Sequence, residues 1–546
     1  MQKNRFAKTF AALIIYLIFL AAMIGVIELK ANFHVDEIYS YGLSNHQDGI
    51  DITFEEGKKY EPASIPFLNY LSVDPEHRFD YKNVYINQAN DVHPPLYYAF
   101  LHTICSFFPG KFSKWYAGAI NIVFGLATLF MLRKLMRLYC GNEMLVNILS
   151  FGFAISSGVL LNVSFLRMYV MAMFWVTTLC YLYISHISKK LSIRFCLAVF
   201  MVVFLGAMTH YYNIVYAVLL TAVFVLYQLF SRQWKNAVAL SVSTVLSGVF
   251  SVAFFRYMID HMFHGYRGTE AIDNLSNKSD IVFRLKAFYS YFDDQLFGSF
   301  LEIIIALAII SVAAEFILQK REKAQPLIQS AVENDTETPE LDKEETDAGF
   351  GVRYLILIVP IVIYYLLVSK MTPFERDRYV FPIYGIAYLA GMLLMVRTLA
   401  RWMRPKRYLL AVWAFVMVIA VGTLIHGSWE YLYLNTKDEL NRVAQYSDND
   451  CICLYECNWK VHLKALDGMK FRNITFVQIE NYPLLEEVLK QQEGSFVLSL
   501  VGICDIEKLK SICEKHYSDL GYSVTMTEIG SFEYGENNYV EITNAN

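Results

Sequence analysis

Apolar and polar residues alternate along this chain in blocks the length of a bilayer crossing. Windows of about 19 residues single out eleven apolar stretches, near 7–28, 113–132, 144–162, 169–187, 194–209, 211–230, 236–256, 299–318, 353–369, 380–397 and 408–427. The stretch after Thr209 runs close to its predecessor, so the pattern supports roughly ten to thirteen spans. The first stretch is too long for a signal-peptide core and no small-residue cleavage site follows it, so it is expected to be retained. Beyond Asn435 the period shortens. Cys451–Tyr455, Asn473–Ile479, Ser495–Val501, Ser523–Ile529 and Asn538–Thr543 read as strands, and Lys460–Leu466, Pro483–Gln491 and Asp505–Leu520 as amphipathic helices. This predicts a small soluble α/β domain over 435–546 after a membrane domain over 1–434.

The polar segments orient the spans. Lys3, Arg5 and Lys8 precede the first one, which puts the amino terminus in the cytoplasm. Arg133-Lys134 with Arg137, Lys189-Lys190 with Arg194, Arg232 with Lys235, Lys320-Arg321 with Lys323, and Arg401 to Arg407 all fall on that same side. The eleven-span layout therefore obeys the positive-inside rule at five consecutive cytoplasmic turns, and the carboxy-terminal domain is expected outside. Pro94 to Phe108 is too short for a crossing and is expected to be a short or interfacial helix on the outer side. Residues 29–112 form a long outer loop, and 257–298 a second one containing His261, His264, Arg267, Asp293 and Asp294. Within 320–351 the acid-rich stretch Ala331 to Gly349 is expected to be a disordered cytoplasmic linker.

With 546 residues, 55% of them hydrophobic and 16% aromatic, a soluble enzyme is excluded, and a net charge of -4 gives no reason to expect a nucleic-acid partner. Nine cysteines divide between the membrane region and the tail. The tail set (Cys451, Cys453, Cys457, Cys504 and Cys513) is compatible with a disulfide or with core and free thiols, and zinc spacing is absent.

Two acidic signatures bracket the first outer loop: His34-Val35-Asp36-Glu37 and Asp91-Val92-His93-Pro94-Pro95-Leu96-Tyr97-Tyr98. Carboxylates beside a membrane span are expensive to hold near lipid and mark chemistry or ion binding. Asp36-Glu37 also fits the cap and first turn of a short helix, a role compatible with chemistry. Asp91 and His93 suit a divalent cation, or the positioning of an acceptor or sugar, and Pro94-Pro95 launches the next helix. Arg167-Met168-Tyr169 and Glu375-Arg376-Asp377-Arg378-Tyr379 lie in outer turns, where guanidinium groups can bind two phosphate oxygens. Salt bridging within the second cluster is the alternative use. Thr209-His210-Tyr211-Tyr212-Asn213 breaks the apolar pattern on the same face and offers His210 and Tyr211 to a pocket.

In order and membrane placement these signatures resemble the first outer loop of the GT-C glycosyltransferases, most of all the branch of protein O-mannosyltransferases and lipid A aminoarabinose transferases. Arg-x-Tyr after the third span and Arg-Tyr before a late one resemble recurring elements of that family. The resemblance implies a GT-C-like membrane fold and transfer of a monosaccharide from a polyprenyl-phosphate donor to an acceptor glycan, glycolipid or protein. Transfer would be inverting, at the outer face of a bacterial plasma membrane. It implies Asp36 as base, with Glu37 and Asp91 as further catalytic acids. His93, Arg167, Tyr169, His210, Tyr211, Arg376, Arg378 and Tyr379 would bind substrate. A divalent cation on Asp91 and His93 is the one cofactor it suggests. The chain departs from the eukaryotic mannosyltransferases in lacking repeat modules between spans seven and eight. A flippase for lipid-linked sugars, or a polysaccharide polymerase or ligase, would also need many spans and outer arginines. The gathering of charge at one face favours the transferase over half-repeats with charges at mid-membrane.

Overall fold

In the computed structural model, residues 2–276, 280–324, 347–492, 495–518, 524–531 and 537–544 are described. Most of the expected acidic linker, at 325–346, lies outside them. Helices occupy all eleven expected spans. Among the described residues seven helices are long and apolar enough to cross a membrane, or nine if two bent pairs each count as one crossing. Two further apolar helices, Tyr169–Ser185 and Ile193–Thr209, have 17 residues each, the short end of what a bilayer accepts. The protein is multi-pass.

Polar positions inside the bundle decide how the spans meet. Ser243, Ser247 and Ser251 repeat every fourth residue and form a buried small-residue seam on Trp234–Phe254. Ser243 and Ser247 donate to the carbonyls of Cys196 and Phe200 on the neighbouring helix at 2.6 and 2.9 Å. Small residues of this spacing let helix backbones approach where lipid supplies no hydrophobic drive. The second long loop, 257–298, ends in an 89° bend between Ile281–Leu296 and the next span. Gly298 turns there with φ +60°, and a Cβ on it would lie 2.6 Å from the carbonyl of Ile419. Asp293 Oδ1 accepts from Leu301 N at 2.9 Å and caps the outgoing helix.

The first loop folds into the short helices Val35–Asn45, Ser64–Leu71, Tyr81–Asn90 and Leu96–Phe107, the last where the short outer helix was expected. It also supplies a strand, β1 (Lys59–Tyr60), to the tail. There, β2 (Asp450–Tyr455), β3 (Asn473–Gln478), β4 (Phe496–Val501), β5 (Val524–Ser531) and β6 (Asn537–Asn544) complete a six-stranded sheet of order β1-β3-β2-β4-β6-β5. The central three are parallel, and β1, β5 and β6 pair antiparallel. A parallel strand covered on both faces reads as an unbroken apolar run, and β2 and β4 are buried throughout. Ile452, Leu454 and Leu498 face the tail's own helices, whereas Cys451, Cys453 and Phe476 face the first loop. On that side Phe54 stacks on Phe476 at 4.4 Å. All nine cysteines are unpaired, which answers the open question of a tail disulfide.

Candidate active site

The chain leaves the first span at Leu29 and turns into Val35–Asn45 through a closed set of bonds. His34 caps the helix, its Nδ1 accepting from Asp36 N at 3.0 Å, while Glu37 Oε2 accepts from His34 N at 2.6 Å. Glu37 also pairs with Lys30 at 2.9 Å, both side chains fully buried, and its Oε1 accepts from Leu166 N at 2.7 Å. Burial raises the Glu37 carboxyl and lowers the Lys30 ammonium, each against the pull of the other. Glu37 therefore ties the first span, the His34 turn and the Leu166-Arg167 turn together. It does not face the cavity.

Asp36, one residue earlier, does. Its Oδ2 lies 2.7 Å from Arg378 Nη1 and 3.4 Å from Arg167 Nη1, and Arg167 Nη1 also donates to the Asp36 carbonyl at 2.8 Å. The carboxylate keeps 29% exposure, enough for a substrate atom to reach it. Burial would raise the Asp36 carboxyl, but Arg378, and after it Arg167, outweigh this and hold it well below the ordinary carboxylate range. Burial works against the Arg378 charge too, and Asp36 together with the neighbouring Tyr169, Tyr379 and Tyr431 outweighs it. His34 is pushed down to about 3, mainly by burial, and stays neutral.

Asp91 and His93 complete the line of charge. Asp91 Oδ2 takes the Nδ1–H of His93 at 2.7 Å, which leaves Nε2 to accept from Arg167 Nη2 at 3.2 Å. Asp91, His93, Arg167, Asp36 and Arg378 thus form one connected series drawn from four separate segments. Behind it Asp377 accepts from Gln295 Nε2 and Tyr431 Oη at 2.8 and 3.0 Å, and burial pushes its carboxyl up to about 7.

These groups open on a cavity of about 720 Å³. Of the candidates from the sequence, Asp36, Asp91, His93, Arg167, Tyr169, His210, Tyr211, Arg378 and Tyr379 line it. Glu37 and Arg376 do not, and Arg376 points instead to Glu430 at 3.7 Å. Tyr211 has a second employment: its hydroxyl meets His261 Nδ1 at 2.8 Å, and His261 Nε2 lies 3.2 Å from the carbonyl of Ala89. This latches the second loop onto the first. Sequence reasoning passed over Tyr39, Tyr266 and Trp459, and named His261 and Arg267 only as members of the second loop; all five line the cavity. Tyr39 was within reach, since it stands one helical turn after Asp36 on the same face.

The donor set does not fit a divalent cation as it stands. His93 spends one ring nitrogen on Asp91 and the other on Arg167. Among the described residues no three His, Cys, Asp or Glu side chains converge as a metal would require. No step below is routed through one.

No family model and no curated protein matches the chain. Solved structures overlap it at low identity. ArnT from Cupriavidus metallidurans bound to undecaprenyl phosphate has a TM-score of 0.48 at 11% identity, covering 97% of each chain. The archaeal oligosaccharyltransferase AglB from Archaeoglobus fulgidus, in complex with an inhibitory peptide and a dolichol-phosphate, has a TM-score of 0.40 at 10% identity, covering 96% of this chain and 74% of that one. An Archaeoglobus fulgidus oligosaccharyltransferase in complex with Zn and sulfate has a TM-score of 0.39 at 12% identity, covering 96% and 72%.

Proposed function

We propose that this protein is a membrane glycosyltransferase that moves a monosaccharide from polyprenyl phosphate to an acceptor hydroxyl. The transfer takes place at the extracytoplasmic face of the plasma membrane, with inversion at the anomeric carbon. One observation carries the reading: a reachable carboxylate, Asp36, held between two arginines on the wall of a cavity at the rim of the spans.

The acceptor oxygen attacks the anomeric carbon, the bond from that carbon to the lipid phosphate oxygen breaks, and the phosphate leaves with the electron pair. The acceptor's proton passes to Asp36. Arg378 and Arg167 are suited to the charge that grows on the departing phosphate, because a planar guanidinium matches two phosphate oxygens at once. Both are engaged by Asp36 in the free protein. An arriving phosphate competes for them, loosens their hold on Asp36 and so makes that carboxylate more basic. A carboxylate is still a weak base toward a hydroxyl, and it takes the proton late, once the sugar has oxocarbenium character. Tyr169, Tyr379 and His210 sit at the span ends beside the arginines, where the first sugar and the lipid phosphate meet the membrane.

Purified protein in lipid nanodiscs, given radiolabelled polyprenyl-phosphate hexose and a membrane extract as acceptor source, should release lipid phosphate. The hexose should appear in a product of opposite anomeric configuration. Transbilayer movement of an uncleaved donor would refute the transferase and support a flippase. Retained configuration would refute direct displacement.

A further inference from the structure

The cavity lining has two unlike sources. One is the span ends: Tyr169, Tyr212, Val215 and Met371, with Arg378. The other is the first loop and the tail, which contribute Tyr39, Ile50 and Trp459. Trp459 is the tail's contribution to the lining, and 44% of it is exposed. It stands four residues after the end of β2, outside the carboxyl ends of the parallel strands. There the connection from β2 goes to β3 on one side, and the next returns to β4 on the other. That reversal is where open α/β sheets keep their binding crevice. Gly502, directly after β4, is held at φ +136°, and a Cβ on it would lie 2.5 Å from Glu456. The two strand ends therefore approach more closely than any other residue would allow.

Trp459 is also tied to the Asp36 helix. His462 Nδ1 donates to the Trp459 carbonyl at 2.9 Å, and the same imidazole stacks on Tyr39 at 4.3 Å with the rings 23° apart. Tyr39 lies one turn beyond Asp36. The backbone that carries the indole is thus tied to the Asp36 helix through a buried histidine.

We propose that Trp459 is the acceptor platform and that the acceptor is a carbohydrate, whose pyranose ring lays its C–H face on the indole and turns a hydroxyl toward Asp36. The inference rests on the transferase reading and names the substrate class for the part of the site that the tail lines. Tyr39 adds a second aromatic, hydroxyl-bearing ring to the lining on the first-loop side, a surface suited to a polyol with alternating C–H and O–H faces. No residue of β1 to β6 lines the cavity, so the strand addition that commonly holds extended peptides is not offered there.

Saturation-transfer NMR on the full-length protein in nanodiscs tests this without any donor, using methyl glucoside, methyl mannoside and maltotriose as probes. Saturation should reach the ring C–H protons of at least one probe. Trp459→Ala should weaken that binding about tenfold, and Trp459→Phe should keep most of it, since a π face remains. Trp459→Leu, which keeps bulk and loses the π face, stands in if alanine disturbs the fold. Absence of binding for every probe, or equal binding by wild type and Trp459→Leu, overturns the proposal. So does a Ser/Thr-rich peptide that binds through Trp459 where the sugars do not. Sugar binding in a protein that never releases lipid phosphate would instead refute the transferase and leave the platform standing.

Discussion

Replacing Glu37 by glutamine should damage the fold rather than remove a chemical group. Glu37 and Lys30 are fully buried and 2.9 Å apart, and the two Glu37 oxygens accept from Leu166 N and His34 N at 2.7 and 2.6 Å. Glutamine keeps one acceptor oxygen, so one of those amides faces an NH₂ and the Lys30 ammonium loses its counter-charge, keeping its bond to the Tyr431 carbonyl. Breaking a buried ion pair from one side costs about 3–5 kcal/mol, and an orphaned buried amide about 1–3 kcal/mol. The two overlap, and Lys30 can shed its proton because burial already lowers its pKa. A loss of about 3–4 kcal/mol is expected for Glu37→Gln. Lys30→Met combined with Glu37→Gln should recover about 2 kcal/mol of that, since the unpaired charge goes with the lysine. Reversible SDS titration in mixed micelles measures the cycle, with the ranking of thermal midpoints as the check where unfolding is irreversible. A Glu37→Gln protein that unfolds like wild type yet has lost turnover would refute the reasoning and return Glu37 to the chemistry.

Arg378→Lys keeps a charge beside Asp36 but loses the fork, so the donor KM should rise about tenfold with a smaller change in kcat; an unchanged donor KM would remove Arg378 from phosphate binding. Acid should destabilise the protein through His34. Its folded pKa, lowered by burial to about 3, lies below the unfolded value near 6.5, so only the unfolded chain takes up that proton between the two. His34 therefore contributes a fall in stability of about 1.4 kcal/mol per pH unit as pH drops below ~6.5. His34→Asn, which keeps an acceptor for Asp36 N, should flatten the thermal-midpoint profile between pH 6.5 and 4; an unchanged slope would exclude His34 as its source.

Much of this architecture is legible in the sequence because it rests on long, regular signals. Spans of 17 or more apolar residues announce themselves, and β2 after Asp450 and β4 apart from Ser499 are apolar runs bounded by polar turns. The site was legible in part because Asp36 and Arg167 stand close to span ends, where charge is unusual, and because Asp91 and His93 sit just before a Pro-Pro helix start. Sorting neighbours was beyond it. Consecutive helical residues point about 100° apart, so Asp36 faces the cavity while Glu37 turns to Lys30, and nothing in Asp-Glu says which is which. Arg376 and Arg378 pose the same problem, settled by Glu430 on one side and Asp36 on the other. β1 has two residues, too few for any periodicity, so the sharing of one sheet by the first loop and the tail gave no warning. Trp459 reaches the cavity through such long-range contacts between the tail and the first loop, the Tyr39–His462 stack among them.

The Asp36→Asn protein in nanodiscs, assayed for release of lipid phosphate from radiolabelled polyprenyl-phosphate hexose, bears most directly on the role of the carboxylate. Loss of a general base typically slows turnover about 10²–10⁴-fold. Such a fall in kcat is expected here, with donor binding kept or tightened, because Arg378 and Arg167 no longer have a carboxylate to satisfy. Release at the wild-type rate from a correctly folded Asp36→Asn protein would contradict the assignment.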